Sequence, residues 1–194
     1  MQWKRLFSTD VSKGTRNYLD SQKKYEILRT ALYFGISLSL FAAGWIQTGS
    51  RGNLLTIVAV LGCLPASKSL VGAVMFLRFR SCSRETAEAV EQHSQGLICL
   101  YDMVFTSYKK NYVVNHLAVC GNTVCGFSED GGFPENEFYS HIGDILKLDG
   151  HKNVTVKIFT DLHKYTERLD QMMNLGREDS VTAAVAATLK SVAL

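Results

Sequence analysis

Three carboxylates in the second half of the chain are the side chains best suited to chemistry. Asp102 interrupts an apolar run, LYDMVF, and Glu129 and Asp130 are neighbours in a polar stretch. Paired carboxylates can hold a divalent cation such as Mg²⁺, and the bound cation can activate a water molecule. Strand alternation favours the solvent face for Asp102, whereas a buried Asp102 would need a partner such as Lys109. The three carboxylates are therefore weak candidates for a hydrolytic site.

The cysteines and histidines lack the spacings that metal sites and nucleophilic enzymes use. Cys120 and Cys125 are separated by four residues across a turn, and no second pair accompanies them, so we expect buried free thiols. His116 stands in the middle of a β-type run, where a packed histidine is more common than a catalytic base. No GxxxxGK loop and no GxSxG elbow occurs. The sequence predicts no metal, no cofactor and no established catalytic residue.

The carboxylates belong to residues 81–194, whose patterning predicts a small cytoplasmic α+β domain. Ser83 and Asp161 precede helical stretches as N-caps, and Gly121-Asn122 between two β-type runs predicts a tight hairpin turn. The predicted order is helix, strand, strand, strand, helix, strand, helix, helix. The predicted bounds are 84–95, 97–106, 112–120, 123–128, 135–148, 153–160, 162–175 and 181–194.

This order of elements over residues 84–160 resembles the core of the restriction-endonuclease-like fold, in particular the nuclease-related domain often attached to bacterial membrane segments. The stretch VVNHLAVCGNTVCGFSED carries the resemblance. In that family an Asp on one strand and a Glu-x-Lys motif ending the next strand bind Mg²⁺ and activate a water. The Asp position matches Asn115, and the Glu-x-Lys position matches residues 128–130, Ser-Glu-Asp. The resemblance therefore implies the fold without the family's catalytic motif.

The first 80 residues contain two long runs that are nearly free of charge. Residues 30–50 carry no charged side chain, and their apolar residues lie all round a helix. Residues 53–77 are similar and long enough to cross the roughly 30 Å hydrocarbon core of a bilayer. We predict a basic cytoplasmic lead-in over 1–29 and a two-helix transmembrane hairpin over 30–80. A cleaved signal peptide is the alternative for the first run, although its charged leader would be 29 residues long.

Pro65 and Lys68 interrupt the second run and leave three alternatives open. In the first, a kinked helix spans the membrane, and the Lys68 ammonium reaches the cytoplasmic headgroups along its flexible stem. In the second, the helix is broken, and residues 65–68 line a polar site or contact a partner. In the third, a short span is followed by an interfacial helix over 70–80.

The charge of the chain divides between two environments. Residues 1–84 hold 12 Lys/Arg and 3 Asp/Glu, a net of +9, whereas residues 85–194 hold 9 and 15, a net of −6. Only Arg51 lies in the loop between the predicted spans. The basic residues that flank the spans most closely are Lys23, Lys24, Arg29, Arg78, Arg80 and Arg84. Because cytoplasmic flanks are enriched in Lys and Arg, we expect both termini in the cytoplasm, at the plasma membrane. Nucleic acid is not expected as a partner.

The sequence as a whole predicts a non-enzymatic two-pass membrane protein whose cytoplasmic domain serves protein interaction or assembly. Its expected partners are the lipid bilayer and a second protein or another copy of the chain, bound through apolar helix faces that include the terminal helix. One alternative is a membrane-tethered, nuclease-like hydrolase that uses Mg²⁺ with Asp102, Glu129 or Asp130. The other is a small-molecule or ion-related membrane subunit that uses a helix break at residues 65–68.

Overall fold

The computed structural model describes residues 13–174 and 179–194. Within these residues the chain is an α+β protein with six helices and one four-stranded sheet. The elements are α1 (Tyr18–Thr48), α2 (Leu54–Leu77), α3 (Arg84–His93), β1 (Ile98–Thr106), β2 (Asn111–Cys120), β3 (Thr123–Phe127), α4 (Glu135–Leu148), β4 (Thr155–Phe159), α5 (Leu162–Met173) and α6 (Asp179–Val192). The chain divides into two compact units, which are a helical hairpin over Leu19–Arg80 and an α+β domain that contains Ser81–Leu194 and the described residues before Leu19.

The predicted order of elements after residue 80 is confirmed. The observed bounds agree with the predicted ones within two residues; the predicted last residue of α5, residue 175, lies outside the described residues. Ser83 caps α3, since its side chain accepts a hydrogen bond from Thr86 N, and Asp161 caps α5 by accepting from His163 N and Lys164 N. These local signals act within one turn of helix, which is why they can be found in the sequence.

The sheet has the order β1-β2-β3-β4. The first three strands form an antiparallel meander, and β4 lies parallel to β3 after the crossover through α4. Gly121 and Asn122 link Cys120 to Thr123, which face each other across the turn. Gly121 has a φ of +55°, in the left-handed region that glycine tolerates best. The predicted hairpin at Gly121-Asn122 is therefore confirmed.

Helices cover both faces of the sheet. On the α4–α6 face, the buried residues include Leu100, Phe105, Leu117, Phe138, Ile142, Leu146, Val185 and Leu189. On the α3–α5 face, they include Val90, Cys125, Phe127, Tyr165 and Leu169. The apolar face of α6 is thus part of the domain's own core. The expectation that the terminal helix serves assembly is wrong, because that face is already covered.

The outer edge of β1 is covered by residues from two distant parts of the chain. Tyr101 N donates a hydrogen bond to Gly14 O at 2.9 Å, and Leu194 N donates to Val104 O at 2.8 Å. Lys13 Nζ also donates to Ala193 O at 2.8 Å. Covering an edge strand protects its main-chain groups from pairing with other chains. The domain is consequently built from two separate stretches of sequence, residues 13–18 and 81–194.

The hairpin consists of α1 and α2, and each is long and apolar enough to cross a membrane by length and composition. The helix α1 begins at Tyr18, so the predicted lead-in continues into the first uncharged run without a break. At 1.5 Å per residue its 31 residues extend over about 46 Å. The helix α2 continues without interruption through Pro65.

Small and polar residues form the seam between α1 and α2. Buried positions recur every three, four or seven residues, which is the spacing of helices packed side by side. They are Glu26, Thr30, Ser37 and Gly44 on α1, and Ala59, Ala66, Ser69, Ala73 and Phe76 on α2. Gly62 approaches Ser37 so closely that an added Cβ would lie 2.7 Å from the Ser37 Oγ. Small residues of this kind let two helix backbones come close together.

Asn53 fixes the turn between the two helices. Its Oδ1 accepts a hydrogen bond from Thr56 N at 2.9 Å, and its Nδ2 donates to Thr48 Oγ1 at 2.9 Å. Gly44 faces this side chain, since an added Cβ would lie 2.6 Å from the Asn53 Oδ1. The end of α1, the turn and the start of α2 are therefore tied together by one amide side chain.

Gly126 in β3 is expected to tolerate a side chain poorly. An added Cβ would lie 2.7 Å from Ile158 Cδ1 and 2.9 Å from Val114 Cγ1. We expect Gly126→Ala to lower the free energy of unfolding of the domain by about 1–3 kcal/mol through overpacking. Gly143→Ala in α4 is the matched control, because no atom lies within 4 Å of its Cβ, and it should raise stability by about 1 kcal/mol. Urea-dependent reactivity of the buried Cys125 thiol, in the full chain in detergent, measures both; equal effects would contradict the expectation.

Candidate functional site

Asp102 is buried, so the expectation that it faces solvent is wrong. Only 2% of its surface is exposed. Its Oδ1 accepts a hydrogen bond from the backbone nitrogen of Cys82 at 2.7 Å, and this amide takes the place of the predicted partner Lys109. A carboxylate that binds a backbone amide stabilises the position of that segment and is less available to a substrate.

The burial of Asp102 follows from an irregular point in the sheet. Asp102 has a φ of +55°, which is rare for a residue with a side chain. Leu100 and Met103 of β1 both pack on the α4–α6 face although they are three residues apart, and the same break occurs on β2 opposite, at Asn115. Strict alternation ends at Asp102, and for that reason it predicted the wrong side for the carboxylate.

The other two candidate carboxylates also bind backbone amides. Glu129 Oε1 accepts a hydrogen bond from Ser83 N at 2.9 Å. Asp130 Oδ1 accepts from Gly132 N at 2.9 Å, so this carboxylate closes its own turn. The structure therefore brings Asp102 and Glu129 together around residues 82–83, just before α3, and leaves Asp130 in an exposed loop.

The positions matched to the motif of the nuclease-related family are neighbours in the structure. Asn115 Oδ1 accepts a hydrogen bond from Glu129 N at 2.9 Å. Ser128 is fully buried, and its Oγ donates to Val113 O at 2.8 Å. Asn115 on β2 thus contacts the backbone just after β3, and Ser128, just after β3, contacts the backbone of β2. This arrangement holds the end of β3 beside β2 and offers one exposed carboxylate, Glu129.

Cys82 is enclosed by this group of residues. Burial raises the pKa of the Cys82 thiol to about 12, and the negative charges of Glu129 and Asp102 add to the effect. A thiol with so high a pKa is protonated at neutral pH, and the protonated form is a poor nucleophile. Cys82 is therefore a buried structural residue, and Asp102 and Glu129 stabilise the backbone around it.

His116 is a packed histidine, as its place in a β-type run indicated. It is completely buried, and its Nδ1 lies 2.6 Å from the hydroxyl oxygen of Tyr165, a partner that sequence reasoning missed. Its ring meets the Tyr101 ring edge-on at 4.6 Å between centroids. Within the described residues its Nε2 has no hydrogen-bond partner. Burial lowers the pKa of His116 to about 3, so the ring is neutral at physiological pH.

A polar cluster links α1 to α2 within the hairpin. Arg29 lies 2.6 Å from the Glu26 carboxylate and donates from Nε to Ser69 Oγ at 3.0 Å. Thr30 Oγ1 lies 2.9 Å from the same Ser69 oxygen. Arg29 was predicted to flank the first span, and the structure shows in addition that its side chain is engaged with the seam. The signal for this was the helical spacing of Glu26, Arg29 and Thr30.

Of the other basic residues that were predicted to flank the spans, two form ion pairs within a helix, and the other three are exposed. Lys24, Arg78 and Arg80 are exposed. Lys23 pairs with Asp20 at 3.0 Å, within α1. The sixth, Arg84, is the first residue of α3, where its side chain pairs with Glu88 at 2.7 Å. Lys24, Arg78 and Arg80 are thus exposed residues that flank the predicted spans.

Pro65 and Lys68 lie on the outer surface of α2. Both are exposed, whereas Ala66 and Ser69 beside them are buried in the seam. Because α2 is one uninterrupted helix, the alternatives of a broken helix at 65–68 and of a separate interfacial helix over 70–80 are wrong. Proline has no backbone N–H, so Pro65 removes one hydrogen bond from the helix. Because Pro65 lies on the outer surface, the packing of the seam is left intact.

An open groove lies between β4, at the edge of the sheet, and α5. It encloses about 470 Å³, and the residues that line it are Thr123, Cys125, Thr155, Lys157, Phe159, Lys164, Glu167, Arg168 and Gln171. Three of these side chains are basic and one is acidic. Sequence reasoning missed the groove because its basic residues come from two elements whose proximity is a product of the fold.

No family model, curated protein or solved structure matches the chain. The resemblance to nuclease-related domains accordingly rests on the order of elements in residues 84–160 and on the stretch from Val113 to Asp130. The structure offers two arrangements on which a function can be based. One is the hairpin with its polar seam, and the other is the groove beside α5.

Proposed function

We propose that this chain is a two-pass membrane protein that holds a non-enzymatic α+β interaction module at the cytoplasmic face of the plasma membrane. The observation that carries the proposal is that both flanks of the hairpin contribute to one domain. Gly14 precedes α1 and Tyr101 follows α2, yet they are joined by a hydrogen bond of 2.9 Å. If both helices cross the bilayer, the chain returns to its starting side, and the two flanks can meet. A single crossing would separate them.

The surface of the hairpin supports its insertion into lipid. Polar and small residues lie in the seam, where the hydroxyl groups of Thr30 and Ser69 form a hydrogen bond. Large apolar side chains are exposed on the outside of both helices, among them Leu32, Ile36, Leu38, Ile57, Leu61, Leu64, Val71 and Val74. A helix pair of this kind hides its polar groups and presents hydrocarbon to its surroundings, which is what a bilayer requires.

The cytoplasmic orientation is supported by the exposed basic residues. Lys24 precedes the uncharged part of α1, and Arg78 and Arg80 follow α2. The turn between the helices carries Arg51, whose guanidinium lies 5.3 Å from the centroid of the Trp45 ring. Because Lys and Arg are enriched on the cytoplasmic side, we expect the domain in the cytoplasm and the turn on the opposite side.

The topology can be tested with two single cysteines in intact cells. We expect Ser50→Cys, in the turn, to react with a membrane-impermeant maleimide added from outside. Ser107→Cys, in the loop after β1, should react only after the membrane is permeabilised. The unsubstituted chain is the control and gives the background labelling, since its Cys82, Cys120 and Cys125 are buried, whereas Cys63 on α2 is exposed and Cys99 is half-buried. Labelling of Ser107→Cys in intact cells would contradict the orientation.

Assembly with another membrane protein is supported by Lys68. Its side chain is exposed on the outer surface of α2, where an ammonium near the bilayer centre costs about 3 kcal/mol. The flexible stem can carry the charge towards the headgroups, and a carboxylate on a neighbouring membrane helix would neutralise it directly. The alternative of a polar site inside a broken helix has no place for Lys68, since α2 is continuous.

Assembly can be measured on the full chain purified from its native membranes in a mild detergent. We expect a particle larger than the monomer, with a second protein or a second copy of the chain present. Lys68→Leu should reduce the recovery of that partner, whereas Lys68→Arg keeps the charge and should preserve it. Recovery of the chain alone, as a monomer, for all three forms would overturn the assembly role.

A membrane-tethered, nuclease-like hydrolase is the second candidate. It is favoured by the closeness of Asn115 to residues 128–130, the positions matched to the family's motif, since Asn115 Oδ1 accepts a hydrogen bond from Glu129 N, and Glu129 supplies a carboxylate there. Incubating the purified full chain with DNA and with RNA, in the presence of Mg²⁺ or Mn²⁺, tests it. Cleavage that is lost in Glu129→Gln would establish this candidate, and the absence of cleavage by the unsubstituted chain would remove it.

A further inference from the structure

The groove between β4 and α5 is the one strongly basic depression that we find in the described part of the domain. Lys157, Lys164 and Arg168 line it together with a single acidic residue, Glu167, so its net charge is +2. Residues 85–194 as a whole have a net charge of −6. Positive charge is therefore concentrated here against the charge of the surrounding domain, which focuses the electrostatic potential on anions.

The basic side chains of the groove are positioned but not neutralised. Lys157 Nζ lies 5.0 Å from the centroid of the Phe159 ring, and Arg168 donates to Gln171 Oε1 at 2.9 Å. Among the described residues, no carboxylate oxygen lies within 4.0 Å of either cation. Lys164 is held more loosely, 3.8 Å from Asp161. Lys157 and Arg168 can thus each bind an external anion.

The acidic residue of the groove is directed elsewhere. Glu167 lies 3.4 Å from the imidazole of His163, one turn earlier on α5. The polar groups that remain beside the cations are the hydroxyl groups of Thr123 and Thr155, at the start of β3 and β4. A guanidinium fork, an ammonium and hydroxyl donors are the groups that bind a phosphate, which can accept several hydrogen bonds at once.

We infer that this groove binds a phosphate group, with Lys157 and Arg168 as its principal contacts and Lys164 beside them. A phosphate monoester carries up to two negative charges and so matches the net charge of +2, whereas a lone carboxylate would leave one unit unmatched. Two sources share this chemistry, a soluble phosphate ester and the phosphomonoester headgroup of a lipid. The inference goes beyond the proposed function and does not depend on it, because it concerns residues of the domain alone.

Titration calorimetry of the full chain in a non-ionic detergent, with inorganic phosphate as the probe, tests the site. We expect saturable binding, and we expect the double variant Lys157→Gln/Arg168→Gln to weaken it at least about ten-fold, the effect of losing charge-assisted hydrogen bonds. The matched control is Lys147→Gln/Lys152→Gln, which removes the same charge from exposed lysines outside the groove. Absence of binding, or equal weakening in both double variants, would overturn the inference.

Reconstitution distinguishes the two sources. The full chain is placed in phosphatidylcholine nanodiscs with and without phosphatidylinositol 4-phosphate, and the affinity for inorganic phosphate is measured again. Weaker apparent affinity only in the phosphoinositide discs identifies a headgroup as occupant, and unchanged affinity identifies a soluble ester. Both results require that inorganic phosphate binds in the groove. The cysteine-labelling experiment on topology is independent of them, so failure of the proposed function and failure of this inference can be told apart.

Protection of the buried Cys125 thiol shows whether the variants fold. Cys125 lies at the floor of the groove and is almost fully buried. A double variant that keeps this thiol unreactive but no longer binds phosphate has lost the contacts and not the fold. If the double variant does not fold, the single variant Lys157→Gln must still weaken binding by more than Lys147→Gln does, or the inference fails.

Discussion

Replacing Asp102 by alanine should lower the free energy of unfolding of the α+β domain by about 3 kcal/mol. Alanine loses the hydrogen bond from Cys82 N, and a hydrogen bond to a charged group is usually worth about 1.5–3 kcal/mol. The substituted residue must also adopt a φ of +55°, which alanine tolerates less well than aspartate. Because both effects occur at position 102, the expected loss of stability is large for a single substitution.

Two further variants separate structure from catalysis at this position. Asp102→Asn keeps an oxygen acceptor and tolerates the left-handed backbone, so we expect it to lose less than half as much stability. Asp130→Ala lies in an exposed loop and should change stability by less than about 0.5 kcal/mol. Urea-dependent reactivity of the Cys125 thiol in the full chain gives all three values. If Asp102→Ala were as stable as the unsubstituted chain, the structural role assigned to this carboxylate would be wrong.

Acidification should destabilise the domain through His116. Burial lowers the pKa of His116 to about 3 in the folded state, whereas histidine in an unfolded chain titrates near pH 6.5. Between these two pH values the unfolded chain binds a proton that the folded chain does not. The free energy of unfolding therefore falls as the pH falls, by up to about 1.4 kcal/mol per pH unit. Above pH 6.5 this histidine contributes no pH dependence.

The comparison that isolates His116 is with a variant that does not titrate. His116→Gln should be less stable near neutral pH, because it disturbs the contact with Tyr165, but its stability should fall less steeply below pH 6.5. Carboxylates titrate in both chains, so the difference between the two pH profiles reports His116 alone. Parallel profiles for the unsubstituted chain and His116→Gln would contradict the assignment.

The order of elements in the domain could be predicted from the sequence because its signals are local. Ser83 and Asp161 cap helices through hydrogen bonds that reach three residues ahead. The turn at Gly121-Asn122 depends on the backbone freedom of one glycine. Each signal acts within a few residues, so an uninterrupted stretch of sequence contains it completely.

The features that were not predicted depend on residues far apart in the sequence. The hydrogen-bond partner of the buried Asp102 is the amide of Cys82, which lies 20 residues away in the sequence. Arg29 is engaged by Ser69, which is 40 residues away on the other helix of the hairpin. The basic groove joins Lys157 to Arg168 across the turn between a strand and a helix. Composition and periodicity report none of these pairings, since they arise only when the elements are packed.

The covering of β1 by Gly14 and Leu194 makes the hairpin an insertion within the sequence of the domain. The hydrogen bond between Lys13 and Ala193 spans 180 residues, so it forms only after all of the intervening chain has been synthesised. By then α1 and α2 have long left the ribosome. Closure of the domain therefore follows synthesis of α1 and α2, and a fragment that begins at residue 81 would expose the main-chain groups of Tyr101 that Gly14 covers.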